Sequence, residues 1–169
     1  MTTIVVEDGT IVSGANSFVT MAEYIAYAAT LDITVTDTQT YQTQIIKAAE
    51  FIATKEPRLK GDLVSRAQEL SYPRYSLTDI DGFSWDSDEI PTQAKEAQMS
   101  LALDINAGED LYNLTQSVAT GIKRERVDGA VEVEYAVDDS GRVARNSRSQ
   151  SLLASLMNWS GSGIPIVMA

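Results

Sequence analysis

The stretch Ser87–Ala107, SDEIPTQAKEAQMSLALDINA, constrains the fold more than any other part of the chain. Ile90, Ala94, Ala97, Leu101 and Ile105 recur at the spacing of one helix face. Met99, Ala102, Leu103 and Ala107 widen that face until much of the circumference is apolar or small, as in a helix enclosed by others. Asp88 and Glu89 offer negative charge and side-chain acceptors to the first unpaired N–H groups. Pro91 falls in the first turn and Gly108 supplies the stop. The expectation is a helix over 89–107 with others packed around it.

Two such partners precede it. Thr20-Met21-Ala22-Glu23 has the spacing of a capping box and opens a helix over 20–31. Tyr24, Ala28 and Leu31 form its face, with Ile25 and Tyr27 beside them, and Asp32–Asp37 ends it. A second helix over 38–54 carries Tyr41, Ile45, Ala48, Ala49 and Ile52 inward, Phe51 at the edge, and leaves at Pro57. Residues 3–6 read as a short strand or extended arm closed by a turn at Glu7-Asp8-Gly9. Residues 58–86 read as a long ordered loop, weakly helical around Leu63–Leu70 and held by Tyr72, Tyr75, Phe83 and Trp85. Glu109–Val118 fits one more short helix with Leu111, Leu114 and Val118 on one side.

At Gly121 the apolar period changes from helical to alternating. Ile122–Val127, Asp128-Gly129 and Ala130–Tyr135 form a hairpin pattern over 122–136. A two-residue loop pairs Lys123 with Glu134 but also Glu125 with Glu132. A three-residue loop pairs Arg126 with Glu132, Arg124 with Glu134 and Val127 with Val131, which cross-strand charge favours by about 1 kcal/mol. Residues 138–151 are a polar linker. Leu152, Leu153, Leu156 and Met157 then line a short helix with Trp159 beyond it, and a Gly-Ser joint leads to the apolar tail Ile164–Ala169, including Ile166. An apolar terminus of this kind needs a receiver, either a partner or, by folding back, the chain's own core. The chain therefore divides into a helical core with hairpin, 1–137, and a linker and docking arm, 138–169. The fold class is mainly α: a small helical bundle with a β-hairpin and an extended C-terminal arm.

Composition removes whole classes of chemistry. At 169 residues the chain is one domain's length. It has no cysteine and no histidine, so disulfides, thiolate or imidazole metal sites and Ser-His-Asp catalysis are all excluded. No Gly-rich phosphate loop is present, and neither an enzyme nor a cofactor is expected. No run approaches the roughly 20 apolar residues of a membrane helix, and MTTIVVEDG lacks the basic and apolar regions of a secretion signal. The net charge of −11 lies wholly in residues 1–121, with 18 acidic against 7 basic side chains; residues 122–169 carry six of each. Such a surface repels a phosphate backbone, which Lys and Arg would have to neutralise. On charge alone the simpler reading, a solubilising coat, comes first, ahead of a surface that sits near DNA without sticking to it.

Three local patterns have structural readings beside functional ones. Asp79-Ile80-Asp81-Gly82…Asp88 resembles part of a calcium loop, but Leu77 would occupy the first ligand position and has no oxygen, so a turn before a helix accounts for it. Glu132 and Glu134 share a strand face, as an acid–base pair would, yet face Arg124 and Arg126 as a charge ladder in the favoured register. Arg142, Arg145 and Arg148 form the local basic cluster, suited to phosphate or to an acidic neighbour but without interleaved aromatics for stacking bases.

Six segments, Val6–Thr10 (VEDGT), Ala15–Glu23 (ANSFVTMAE), Arg58-Leu-Lys-Gly61, Leu70-Ser-Tyr-Pro-Arg74, Asp88-Glu-Ile-Pro91 and Ile122–Tyr135, together resemble the tailed-phage head–tail connector proteins, a family also described as DnaT-like single-stranded-DNA-binding proteins. Tyr72 stands where that family more often has Trp. The two descriptions imply different functions. A connector would be a structural virion protein, assembled in the host cytoplasm, that forms a ring of about twelve copies beneath the portal. It would extend the DNA channel, contact the portal protein, its own neighbours and the next tail or stopper protein, and let genomic DNA pass without tight binding. Leu152, Leu153, Leu156, Met157, Trp159, Ile164 and Ile166 would dock the portal or an adjacent subunit, and Arg124, Arg126, Glu132 and Glu134 would supply hairpin contacts. The alternative is a protein that grips single strands. The acidic balance favours the connector.

Overall fold

A computed structural model describes residues 3–79, 81–109, 111–112 and 148–158, together with the backbone of 124–127 and 131–134. Helix α1, Met21–Ala29, opens on the expected capping box. The Thr20 hydroxyl accepts from Glu23 N–H at 3.1 Å, and the Glu23 carboxylate accepts from Thr20 N–H at 2.6 Å. Tyr24 and Ala28 are buried. Leu31, expected on this face, is 38% exposed, because the helix stops at Ala29 and Asp32 turns the chain away at φ 57°.

Helix α2, Gln39–Ala53, buries Ile45, Ala48, Ala49 and Ile52 as the periodicity predicts, with Tyr41 and Phe51 half-buried. A 3-10 turn, Glu56–Arg58, follows at Pro57. The long loop then contains a two-residue ribbon, β1 (Asp62–Leu63) antiparallel to β2 (Arg74–Tyr75), and no helix at 63–70. Of the four aromatics expected to hold it, Tyr72 is fully buried and Trp85 half-buried, whereas Tyr75 and Phe83 are exposed.

Helix α3, Thr92–Asn106, is the centre of the bundle and packs against α1, α2 and α4. It begins later than expected. Ile90 precedes a proline and is disfavoured from helical geometry, and Pro91 itself is extended (ψ 135°) and caps the helix. Asp88 and Glu89 therefore stand in the preceding turn rather than capping α3. Ala94, Ala97, Met99, Leu101, Ala102 and Leu103 are buried as expected, while Ile105 is half-buried and Ala107 exposed at the far end. Most of the proposed helix at 109–118 lies outside the described residues.

The hairpin forms from β3 (Arg124–Val127) and β4 (Val131–Glu134). Its register is Arg124↔Glu134, Arg126↔Glu132 and Val127↔Val131, that of the three-residue loop. Helix α4, Arg148–Ser155, closes the described chain and lies on α3.

Candidate functional site

Of the two receivers open to the C-terminal arm, a partner or the chain's own core, residues 148–158 meet the core. Leu153 and Leu156 are each 2% exposed within the core cluster, and Leu152 and Met157 are half-buried against it. Main-chain bonds secure the segment: Lys60 N–H to Leu156 C=O at 2.9 Å and Asn158 N–H to Arg58 C=O at 2.7 Å. Leu59 and Met157 form an antiparallel bridge. The Ser149 hydroxyl lies 3.1 Å from the Asp104 carboxylate on α3, and the Lys60 ammonium donates to Ser155 C=O at 3.0 Å. Over residues 148–158 the arm thus folds back on the core; Trp159, Ile164 and Ile166 lie outside the described residues.

The hairpin positions Arg124, Arg126, Glu132 and Glu134 so that each Arg is directly opposite a Glu along the ladder. In the basic cluster, Arg142 and Arg145 fall outside the described residues. The Arg148 guanidinium lies 5.3 Å from the centre of the Tyr27 ring. In the aspartate-rich turn, Asp79 acts on the main chain: its carboxylate accepts from Asp81 N–H at 2.9 Å and Phe83 N–H at 2.8 Å. Among the described residues no three acidic side chains gather as a metal site.

Five of the six segments that carry the resemblance are joined to one another by close contacts, and Gln98 ties them to α3. Glu7 is 1% exposed, and its carboxylate accepts from the N–H groups of Gly9, Ile11 and Val12, each at 2.9 Å. Three donors compensate the burial of that charge, and they hold Ile11 at φ 61°, a costly conformation for a β-branched residue. Gly9, at φ 107°, passes so close to Asp88 that a Cβ there would lie 1.7 Å from the Asp88 carbonyl oxygen. Buried Gln98 joins the next pair: its amide oxygen accepts from Phe18 N–H at 2.9 Å, and its nitrogen donates to the Ser17 hydroxyl and Ile45 C=O. Phe18 stands edge-on to Tyr72, with ring centres 5.9 Å apart. Arg74, 5% exposed, donates to the carbonyls of Lys60, Gly61 and Ser71. These residues build the fold rather than face a ligand. Periodicity passed over Gln98 and Arg74 because polar side chains inside a core leave no period.

The surface features outside this core are modest. A shallow groove of about 360 Å³ runs along α2 to Ile105, lined by Gln39, Thr40, Thr43, Gln44 and Lys47. Phe83 is 73% exposed and Tyr112 and Tyr75 about half. Tyr112 meets Phe51 edge-on at 5.6 Å, and the Lys55 ammonium lies 4.3 Å above the same Phe51 ring. No helix among the described residues is long and apolar enough to cross a membrane.

A comparison with family models matches residues 2–169 to the family described as "Putative DnaT-like ssDNA binding protein". No curated protein and no solved structure matches the chain.

Proposed function

Because the chain belongs to the DnaT-like ssDNA-binding family, its relation to DNA is the question, and we propose that it stays near DNA without gripping it, as a head–tail connector in a phage virion. The observation that carries this reading is the net charge of −11, all of it in residues 1–121. Binding a phosphate backbone requires cations free to displace counterions. Here Lys60 and Arg74 donate to carbonyls of their own chain, and Lys55 and Arg148 lie on its aromatic rings. Exposed Lys47, Arg58 and Arg66 are outnumbered by carboxylates. An acidic wall lets a genome pass, and the protein's part is architectural, with no catalysis and no cofactor. It would stand in a ring under the portal, contacting the portal protein, its own neighbours and the next tail or stopper protein. The resemblance of its six segments to connector proteins supports that placement.

A second reading, single-strand binding, is favoured by the family description and by the exposed aromatic rings, which are the groups on which bases stack. Two measurements separate the readings. Purified protein is titrated against labelled oligonucleotides by fluorescence anisotropy at physiological salt, and is also sedimented with portal-bearing capsids that lack it. The connector reading expects negligible oligonucleotide binding and attachment to capsids that restores tail addition. Micromolar or tighter binding that weakens steeply with salt, without capsid attachment, establishes the single-strand reading instead.

A further inference from the structure

The turn that carries Phe83 is built to present that ring. Thr78 and Ser84 pair as an antiparallel bridge, Trp85 N–H donates to Leu77 C=O at 2.9 Å, and Asp79 N–H donates to Phe83 C=O at 2.9 Å. Leu77 is thus opposite Trp85 and Asp79 opposite Phe83, and residues two apart on a strand share a face. An apolar line leaves the core along that face. Leu77 is fully buried, Trp85 half-buried against the core, and Phe83 73% exposed at the end. The tip is clamped by the Asp79 carboxylate on the N–H groups of Asp81 and Phe83. A turn whose backbone is held in this way loses little main-chain freedom on binding.

The charge of the surrounding stretch decides what the ring meets. Residues 75–94 contain five carboxylates, all between 79 and 89, and no Lys or Arg. The nearest basic residue before them, Arg74, is buried on main-chain carbonyls. A nucleic-acid backbone or an anionic lipid surface would be repelled at this point. We propose that the Phe83 turn is a protein-docking knob whose partner is an apolar socket rimmed by Lys and Arg. The ring supplies the buried contact at the centre and the carboxylates supply the complementary edge. This assignment does not depend on the virion role and applies to whichever protein the chain meets.

The test uses the full chain and a defined mimic of such a socket: a fluorescently labelled fourteen-residue peptide of Leu and Lys that forms an amphipathic helix. An all-Lys peptide, a labelled oligothymidylate and phosphatidylglycerol vesicles serve as controls. Phe83→Ala and Phe83→Trp are compared with the parent after circular dichroism shows unchanged helix content. Phe83→Ala is expected to weaken the Leu–Lys peptide by about tenfold, with Phe83→Trp restoring it and the all-Lys peptide indifferent to either change. Asp81→Asn with Asp86→Asn should weaken the same complex and flatten its salt dependence. Equal affinity of the parent and Phe83→Ala, or no binding of the Leu–Lys peptide, overturns the proposal. Binding to oligothymidylate or to vesicles that is lost with Phe83 overturns it in favour of a nucleic-acid or a lipid surface.

Discussion

Gln98 joins three parts of the chain through one buried amide, taking the Phe18 N–H and giving to the Ser17 hydroxyl and Ile45 C=O. Truncation to Ala would strand the buried Phe18 N–H and leave a cavity. Gln98→Ala is therefore expected to cost about 2–4 kcal/mol, read from the urea denaturation midpoint. The buried tyrosines behave in the opposite way. The hydroxyls of Tyr24 and Tyr72 find no hydrogen-bond partner among the described residues. Removing the hydroxyl should thus leave stability within about 1 kcal/mol of the parent or raise it. Burial pushes both phenols up from their ordinary value of 10.0, since the charged form is poorly solvated inside. Their contribution is fully present below the unfolded value and is lost as pH rises through the folded values. Alkaline unfolding should accordingly begin above pH 10.0, and the double Tyr→Phe variant should move its onset to higher pH, measured by circular dichroism.

Among the elements, α4 has the clearest consequence. Eight residues are too few for a stable isolated helix, so its stability comes from packing on α3, with Leu153 buried in the core. Leu153→Ala should cost about 2–5 kcal/mol. A chain cut after Val137 would remove that packing altogether, so it should melt well below the full chain in a thermal scan. An unchanged midpoint would mean that the core closes without α4. The early end of α1 and late start of α3 have local causes as well. The chain leaves α1 in a left-handed residue, and Ile90-Pro91 disfavours a helix before Thr92.

For the whole molecule, charge is the property that governs encounters. Copies carrying a net −11 repel one another, and a partner must offset that repulsion before they stand side by side. On the connector reading proposed above, light scattering of the purified protein is expected to find a monomer or small oligomer, with a ring forming only on the portal. Stable rings formed unaided would remove the dependence on the portal while leaving the connector role in place.

The helices, the capping box of α1 and the hairpin register were legible in the residues because each rests on neighbours in sequence. A 3.6-residue period, a four-residue box and opposed Arg and Glu pairs are local statements. The charge balance likewise needed no coordinates. What the sequence left open was the destination of groups whose partners are far away along the chain. Leu153 reads the same whether it docks on a stranger or on α3, because burial depends on what lies opposite. Gln98, Glu7 and Arg74 carry no local mark of burial, because the groups that compensate them, Phe18, Val12 and Gly61, are brought to them by the fold. Phe83 read as a buried anchor of its loop, and the tertiary structure placed it outside, because Leu77 and Trp85 already occupy the inner part of that face.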